Sequence, residues 1–295
     1  MGDERAVDTK AFAEWLFAEG KADKTIQSYT TDVNGFQAFL TQQIGKDKYF
    51  NRSIFLVYID RLVRSGYAVA TINKKVNSLK VFNDFLLLKG LVTERYIHMK
   101  KDRIGTAVGS EDVVTVLLDE EVERLLFYVN TNERVSIRNK LIVYLLLYTG
   151  VRVTELVELR LSSIDFLTSH IVVVGKGGKR REIGLRSDVL QLVRLYIKKE
   201  RSKSVFNHSD YLLVSQRGGK LHRDAVRHWL AKISEELKLK LHPHLFRHTF
   251  CTRLIQKGVD LTTVSRLAGH GSVNMTAKYY IQTSREEKMD AVNRL

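Results

Sequence analysis

Cysteine and proline are almost missing from this sequence. The single cysteine, Cys251, rules out an intramolecular disulfide and any all-cysteine metal cage. The single proline, Pro243, rules out a proline-rich linker. No apolar run is long: the longest, Leu141 to Tyr148, is far too short to cross a bilayer, and the opening MGDERAVDTK has no apolar stretch of the signal-peptide kind. Met1-Gly2 does not begin a myristoylation signal, because Ala6 stands where serine or threonine is required. A cytoplasmic protein with no membrane association is expected. No internal repeat recurs at solenoid spacing.

What is abundant is positive charge. Lysine and arginine number 48 against 33 aspartate and glutamate, leaving a formal charge of +15 and a sequence pI near 9.8. Nucleic acid is the partner this favours. An anionic membrane surface would concentrate the excess in one tail or one amphipathic helix, whereas here residues 1–109 carry +5 and residues 110–295 carry +10. Both parts contribute, as expected if both touch one long polyanion. A solvated basic surface with no partner fits the charge as well, so the case for function rests on motifs. The 44% hydrophobic and 27% charged fractions are those of a folded protein, and 295 residues suffice for two domains.

In KTIQSYTTDVNGFQAFL, Ile26, Tyr29, Val33, Phe36 and Leu40 step by three and four and so share one helical face. Ile72, Val76, Leu79, Phe82 and Leu86 repeat the pattern, with Lys74, Lys75 and Lys80 off the seam. No useful strand pattern precedes residue 100, so four or five short helices are expected over 1–99. From Lys100 the text KKDRIGTAVGSEDVVTV loses this period and gathers glycine and charge, which predicts a linker over 100–115. A larger domain then spans 116–283. Asp119-Glu120-Glu121 marks a helix start, and SIRNKLIVYLLLYTG a central buried helix stopped by Gly150. His170 to Val174, a GKGG turn and Lys179 to Leu185 predict an antiparallel hairpin. Helical periods return at 187–200, 223–238 and 246–257. Met289, Val292 and Leu295 predict a short amphipathic helix over 284–295. The expected fold class is mainly α with a small antiparallel β-sheet.

Familiar catalytic sets are missing. GKGGKRR lacks the Gly-Lys-Ser/Thr spacing of a phosphate loop and precedes a strand, and no carboxylate cluster suits a two-metal nuclease. Present instead are polar islands beside apolar helices: Arg152 in TGVRVTEL, Lys176 in VVGKGGKRR, His244 and Arg247 in HPHLFRHTF, His270 in LAGHGS and Tyr279 in TAKYYI. Metal-free phosphodiester chemistry needs donors for the non-bridging oxygens, and a guanidinium fork suits two at once. It also needs a nucleophile, which a tyrosine hydroxyl can be, and an acid for the expelled oxygen, which a lysine at a hairpin tip can be.

The stretches TGVRVTELVELR, VVVGKGGKRREIGL, HPHLFRHTFCTRLIQKGVD and VSRLAGHGSVNMTAKYY, in this order and spacing over 149–280, resemble the tyrosine recombinase (phage integrase) family, particularly its compact Xer-type members. KTIQSYTTDVNGFQAFL with TINKKVNSLKVFNDFL resembles that family's amino-terminal core-binding domain. The resemblance implies a helical core-binding DNA clamp over 1–99, a catalytic domain over 116–283, and a terminal helix for subunit contacts. It implies that Arg152 and Arg247 stabilise the pentacoordinate phosphate, and that His244 and His270 assist proton transfer or hydrogen-bond the phosphate. Lys176 would protonate the leaving 5′ oxygen, and Tyr279 would attack to form a 3′-phosphotyrosine. No metal and no nucleotide cofactor is implied. The implied partner is double-stranded DNA with an inverted-repeat core site, handled by a homotetramer in the synapse. The expected function is site-specific recombination that resolves chromosome dimers or transposon cointegrates. A catalytically silent DNA-binding protein on the same scaffold and a relaxing topoisomerase are the alternatives. The absence of an arm-binding domain ahead of residue 7 points away from the phage-integrase layout.

The chain departs from the family pattern at Phe246, at Ala268, and at Glu182-Ile183-Gly184, where a proline often follows the hairpin lysine strand. Tyr280 is a rival to Tyr279, because adjacent helical residues point about 100° apart and only one can face the phosphate; spacing favours Tyr279. His242, His244, His248 and Cys251 permit a zinc reading, which leaves Arg247 among them unexplained. Lys74, Lys75, Lys80, Arg223 and Arg227 are candidate phosphate contacts, although each taken singly is an ordinary solvated charge. Deleting residues 284–295 is expected to spare DNA binding and weaken synapsis or regulated cleavage; full recombination by the truncated protein is the contrary result.

Overall fold

The computed structural model describes residues 9–43, 50–105, 115–280 and 293, with the side chains of Gln43, Lys176 and residues 278–280 outside that description. The chain divides into two compact units, residues 1–111 and 112–295. Among the described residues, no helix is long and apolar enough to cross a membrane.

The described part of the first unit is helical: α1 (Thr9–Ala18), α2 (Asp23–Gln43), α3 (Arg52–Arg64), α4 (Val69–Leu88) and α5 (Met99–Asp102). α4 is the central element, packing on α1, α2, α3 and α5. Its seam residues Ile72, Val76, Leu79, Phe82 and Leu86 are all buried, and from α2 Val33 and Phe36 join them while Ile26, Tyr29 and Leu40 pack at the edge. Aromatic rings fill the space between helices, with Phe12 meeting Phe82 edge-on at 5.1 Å. Residues 100–104, the first part of the linker expected over 100–115, are held to this unit by polar contacts. Arg52 pairs with Asp102, and the Asn73 side chain exchanges two 2.9 Å hydrogen bonds with the backbone of Ile104. Loss of apolar period marks where packing stops, but not where polar side chains still hold the backbone.

In the second unit, α6 (Asp119–Thr131) leads to α7 (Ile137–Thr149), whose apolar surface is buried nearly all round. Ser136 caps α7 by accepting from Asn139 N, and Gly150 ends it with φ 60°, as the sequence predicts. α8 (Val153–Glu158) follows, then a three-stranded antiparallel sheet of β1 (Ile164–Asp165), β2 (His170–Val174) and β3 (Arg180–Gly184). In the β2–β3 hairpin His170 faces Gly184 and Val174 faces Arg180. The expected hairpin is therefore extended by a short edge strand. α9 (Ser187–Lys199), α10 (Arg223–Leu237), α11 (Pro243–Gln256), α12 (Leu261–Ala268) and α13 (Asn274–Tyr280) are the further α-helices of its described part. α11 starts three residues before the expected 246. Pro243 takes the first helical position, where its missing N–H is no loss, and the His242 side chain caps it by accepting from Leu245 N. The terminal helix expected over 284–295 lies outside the described residues save for residue 293.

One buried polar group also ties α2 to α4. The Asp32 carboxylate, 2% exposed, accepts from Ser78 Oγ at 2.7 Å, Lys74 Nζ at 3.2 Å and Lys75 Nζ at 3.1 Å. Burial pushes its pKa up, but the hydrogen bonds from Ser78, Lys74 and Lys75 outweigh that and hold the carboxyl below its ordinary value. Its stabilising contribution is therefore present above the unfolded carboxyl pKa and is lost as pH falls below it. Asp32→Asn should destabilise the first unit by about 1–3 kcal/mol in chemical denaturation and flatten its acid-side loss of stability; an unchanged midpoint would show that the contact is incidental.

Candidate active site

Four of the six residues expected to be catalytic are described with their side chains, and they come together. α7 ends at Gly150, and the carbonyl there accepts from Arg247 Nη1 of α11 at 2.8 Å. The approach is close: a Cβ on residue 150 would stand 2.3 Å from Phe250 Cδ1, so glycine is needed for space as well as for its positive φ. Two residues on, Arg152 occupies the N-cap of α8. Its Nη1 donates to Glu155 Oε1 at 2.8 Å, its backbone N donates to Glu155 Oε2 at 2.8 Å, and its Nη2 donates to Gly269 O at 3.0 Å. Gly269 ends α12 with φ 65° and precedes His270.

Glu155 also ties in the hairpin. Arg181 of β3 stands opposite Val173, on the inward face of the sheet. It grips the Glu155 carboxylate with both arms, Nη1 to Oε1 at 3.1 Å and Nη2 to Oε2 at 2.7 Å, and its Nε donates to Leu267 O at 2.8 Å. Gly175, just before Lys176, packs beside this carboxylate, with Glu155 Oε1 at 3.5 Å from where its Cβ would be. Burial raises the Glu155 pKa, but the hydrogen bonds from Arg181 and Arg152 win and hold it below the usual carboxylate range. Glu155 is thus a charged, 5% exposed group joining three islands.

The site is strongly electropositive. Arg247 is 4% exposed, and its Nη2 has no hydrogen-bond partner among the described residues. Burial and the nearby Arg152 push its pKa down to about 10, still far above neutrality. Burial, then His242, Arg247, Arg227 and Arg152, lower the pKa of His244. His270 is driven down to about 4 by burial, Arg247, Arg152, His248 and Arg181. Both imidazoles are neutral at pH 7. Nδ1 of His270 lies 2.8 Å from Oγ1 of the fully buried Thr276, on the same helix as Tyr279.

The side chains of Lys176, Tyr279 and Tyr280 lie outside the described residues; their backbones occupy the hairpin turn and α13. The proposed DNA contacts are less free than the sequence suggests. Lys74 and Lys75 share Asp32, Lys80 pairs with Asp84, and Arg223 and Arg227 both lie against Asp224. Arg227 still adds to the positive field at His244, whereas the three lysines belong to the first unit. Among the described residues no three His, Cys, Asp or Glu side chains are grouped to hold a metal ion. Cys251 is fully buried, and burial pushes its thiol up to about 11, the behaviour of a core residue. Arg181 and Thr276 were not among the residues expected from sequence. Arg181 could have been found by counting hairpin register, which puts an arginine on the core face; Thr276 has no comparable signal.

His270 binds its proton less readily folded than unfolded, so between about pH 6.5 and about pH 4 the unfolded chain carries more protons and stability falls as pH falls. His270→Gln should make the decline in melting temperature across that window shallower. Equal slopes for the two proteins would show that His270 is not held neutral.

Residues 115–287 match the phage integrase family, and residues 9–90 match the phage integrase N-terminal SAM-like domain. Tyrosine recombinase XerC of Anoxybacillus flavithermus is 32% identical over 278 residues, covering 91% of this chain and 90% of the relative. The TnP I resolvase of Bacillus thuringiensis is 31% identical over 276 residues, covering 92% and 93%. Among solved structures, XerH site-specific recombinase bound to palindromic difH substrate superposes with a TM-score of 0.78 at 21% identity, over 98% of this chain and 86% of that one. The Tn1549 transposon integrase in complex with circular intermediate DNA gives 0.74 at 20%, over 97% and 98%; at such identities the likeness is one of fold. The paired arginines and neutral histidines thus lie within the region that matches the family, and the chain belongs to the phage integrase family of tyrosine-type site-specific DNA recombinases.

Proposed function

We propose that the chain breaks and rejoins duplex DNA at an inverted-repeat core site through a 3′-phosphotyrosine, with Arg152 and Arg247 holding the scissile phosphate. The observation that carries this reading is the buried Arg247, with one arm fixed on Gly150 O and the other, Nη2, without a partner among the described residues. An unsatisfied charged donor in a low-dielectric setting is costly, and a phosphate oxygen is the acceptor that relieves it. Arg152 stands close enough to depress the Arg247 pKa, so the pocket offers two guanidinium groups where charge accumulates on a pentacoordinate phosphorus.

In the forward step the Tyr279 hydroxyl oxygen bonds to phosphorus as the bond from phosphorus to the 5′ oxygen breaks. The phenolic proton passes to the neutral imidazole of His244, Lys176 gives a proton to the departing 5′ oxygen, and His270 donates to a non-bridging oxygen. Religation reverses the step: a free 5′ hydroxyl attacks the phosphotyrosine, and Tyr279 leaves with a proton restored. One phosphodiester is exchanged for another, so the strand is resealed without ATP. No step calls on a metal or a nucleotide.

Resolution of chromosome dimers or transposon cointegrates is the role supported by relatives named XerC and TnP I resolvase. Exchange between two duplexes requires four cuts, so four copies of the chain act in the synapse. Tyr279→Phe should bind the core site as the parent does and form no covalent adduct with a suicide duplex nicked beside the cleavage point. An adduct that persists moves the nucleophile to Tyr280, and failure of the parent protein to form one identifies a silent DNA-binding protein.

A further inference from the structure

Thr276 sits in the island that carries Tyr279, yet the chemistry above makes no use of it. Its side chain is 0% exposed, and its hydroxyl is 2.8 Å from Nδ1 of His270. The two residues flank a break between helices. His270 follows the left-handed Gly269 that ends α12, and its backbone N donates to Ser265 O at 3.0 Å. Thr276 lies in the first turn of α13, with its backbone N donating to Val273 O at 2.8 Å. The side-chain bond therefore spans the break and ties the ring to the helix of the nucleophile.

A neutral imidazole has one N–H and one lone pair, and the partner of one nitrogen decides which kind the other presents. His270 is kept neutral by burial and by the fields of Arg247, Arg152, His248 and Arg181. A neutral ring serves a phosphate oxygen only through an N–H, since a lone pair turned toward an anion repels it. Yet surrounding guanidinium groups favour a lone pair on the ring nitrogen nearest them, which is the wrong form for phosphate. A donor at Nδ1 opposes that preference, and the Thr276 hydroxyl is placed to be this donor.

We propose that Thr276 is a positioning residue whose hydroxyl donates to Nδ1 of His270, fixing the Nε2–H tautomer and docking the ring on the helix that bears Tyr279. This rests on the reading that His270 serves the scissile phosphate. Valine keeps the shape of threonine and removes the hydroxyl, while serine keeps the hydroxyl and removes the methyl, so the pair separates hydrogen bonding from packing.

The full-length protein labelled with 15N-histidine reports the tautomer in long-range 1H–15N spectra, the His270 signals being those lost in His270→Gln. The expected result is Nε2–H in the parent and in Thr276→Ser, and a shift toward Nδ1–H in Thr276→Val. Covalent capture of the suicide duplex should slow about 10-fold or more in Thr276→Val with core-site affinity unchanged, and recover in Thr276→Ser. An unchanged tautomer in Thr276→Val, or equal losses in the valine and serine variants, overturns the proposal. Capture at the parent rate by His270→Gln would instead overturn the reading of His270 itself, whatever Thr276 does.

Discussion

The Glu155 carboxylate is almost excluded from solvent, and it stays ionised only because two guanidinium groups and a backbone N–H close around it. A buried charge is tolerable when paired and hydrogen-bonded; stripping one partner from such a pair typically costs about 3–5 kcal/mol. Here the partners come from different elements. Arg152 opens α8, Arg181 rises from the hairpin, and Arg181 also holds the carbonyl of Leu267 near the end of α12. One carboxylate thereby sets the spacing between the first arginine, the base of the lysine hairpin and the loop that begins at His270. Were it absent, Arg152 and Arg181 would repel each other across the same space, and the three islands would lose their common reference point.

That arrangement leaves the pocket with more positive charge than it can balance internally. Glu155 is shared by Arg152 and Arg181, while Arg247 donates to a backbone carbonyl and, among the described residues, forms no ion pair of its own, feeling Glu155 only at a distance. Burial first, and this excess of charge after it, lower the pKa of His244 and His270, so that neither adds to the excess. Such a site is less stable empty than it would be with apolar side chains in place of its charges, a common trade where function needs a preorganised field. In the proposed reaction, donors held rigidly by the protein need not reorient as charge develops on phosphorus, and so act more strongly there than water dipoles would.

How much of this was legible beforehand depended on the kind of information involved. The buried helix of 137–149, its stop at Gly150 and the hairpin follow from local rules of period and capping, and they appear where those rules put them. Arg152, His244, Arg247 and His270 were legible as separate islands, because each sits in a short motif with its own spacing. Their convergence was not a property of any window of sequence. Thr276 is not legible for that reason, since a threonine in a short helix is ordinary until its partner six residues away is known; for Arg181 the hairpin register marks an arginine on the core face, but not the carboxylate 26 residues upstream that it grips. Lys74 and Lys75 show the same gap from the other side. Helical period correctly set them off the apolar seam, but it carries no knowledge of Asp32 on another helix, which claims both.

The two arginines are anchored in matching ways, and the match has a physical basis. Arg247 donates to the carbonyl of Gly150, and Arg152 donates to the carbonyl of Gly269. Each glycine is the left-handed residue that ends a helix, α7 in one case and α12 in the other. Carbonyls at a helix C-terminus have no intrahelical donor and carry the negative end of the helix dipole, so a guanidinium satisfies both needs at once. The left-handed turn requires glycine, and so does the packing: a Cβ at residue 150 would strike Phe250, and one at residue 269 would lie 2.8 Å from Arg181 Nη1. For Arg152 the carbonyl is a second anchor beside the Glu155 carboxylate, which takes up part of its charge. For Arg247 the Gly150 carbonyl holds the guanidinium in position and leaves its charge almost whole, as the proposed contact with a phosphate requires.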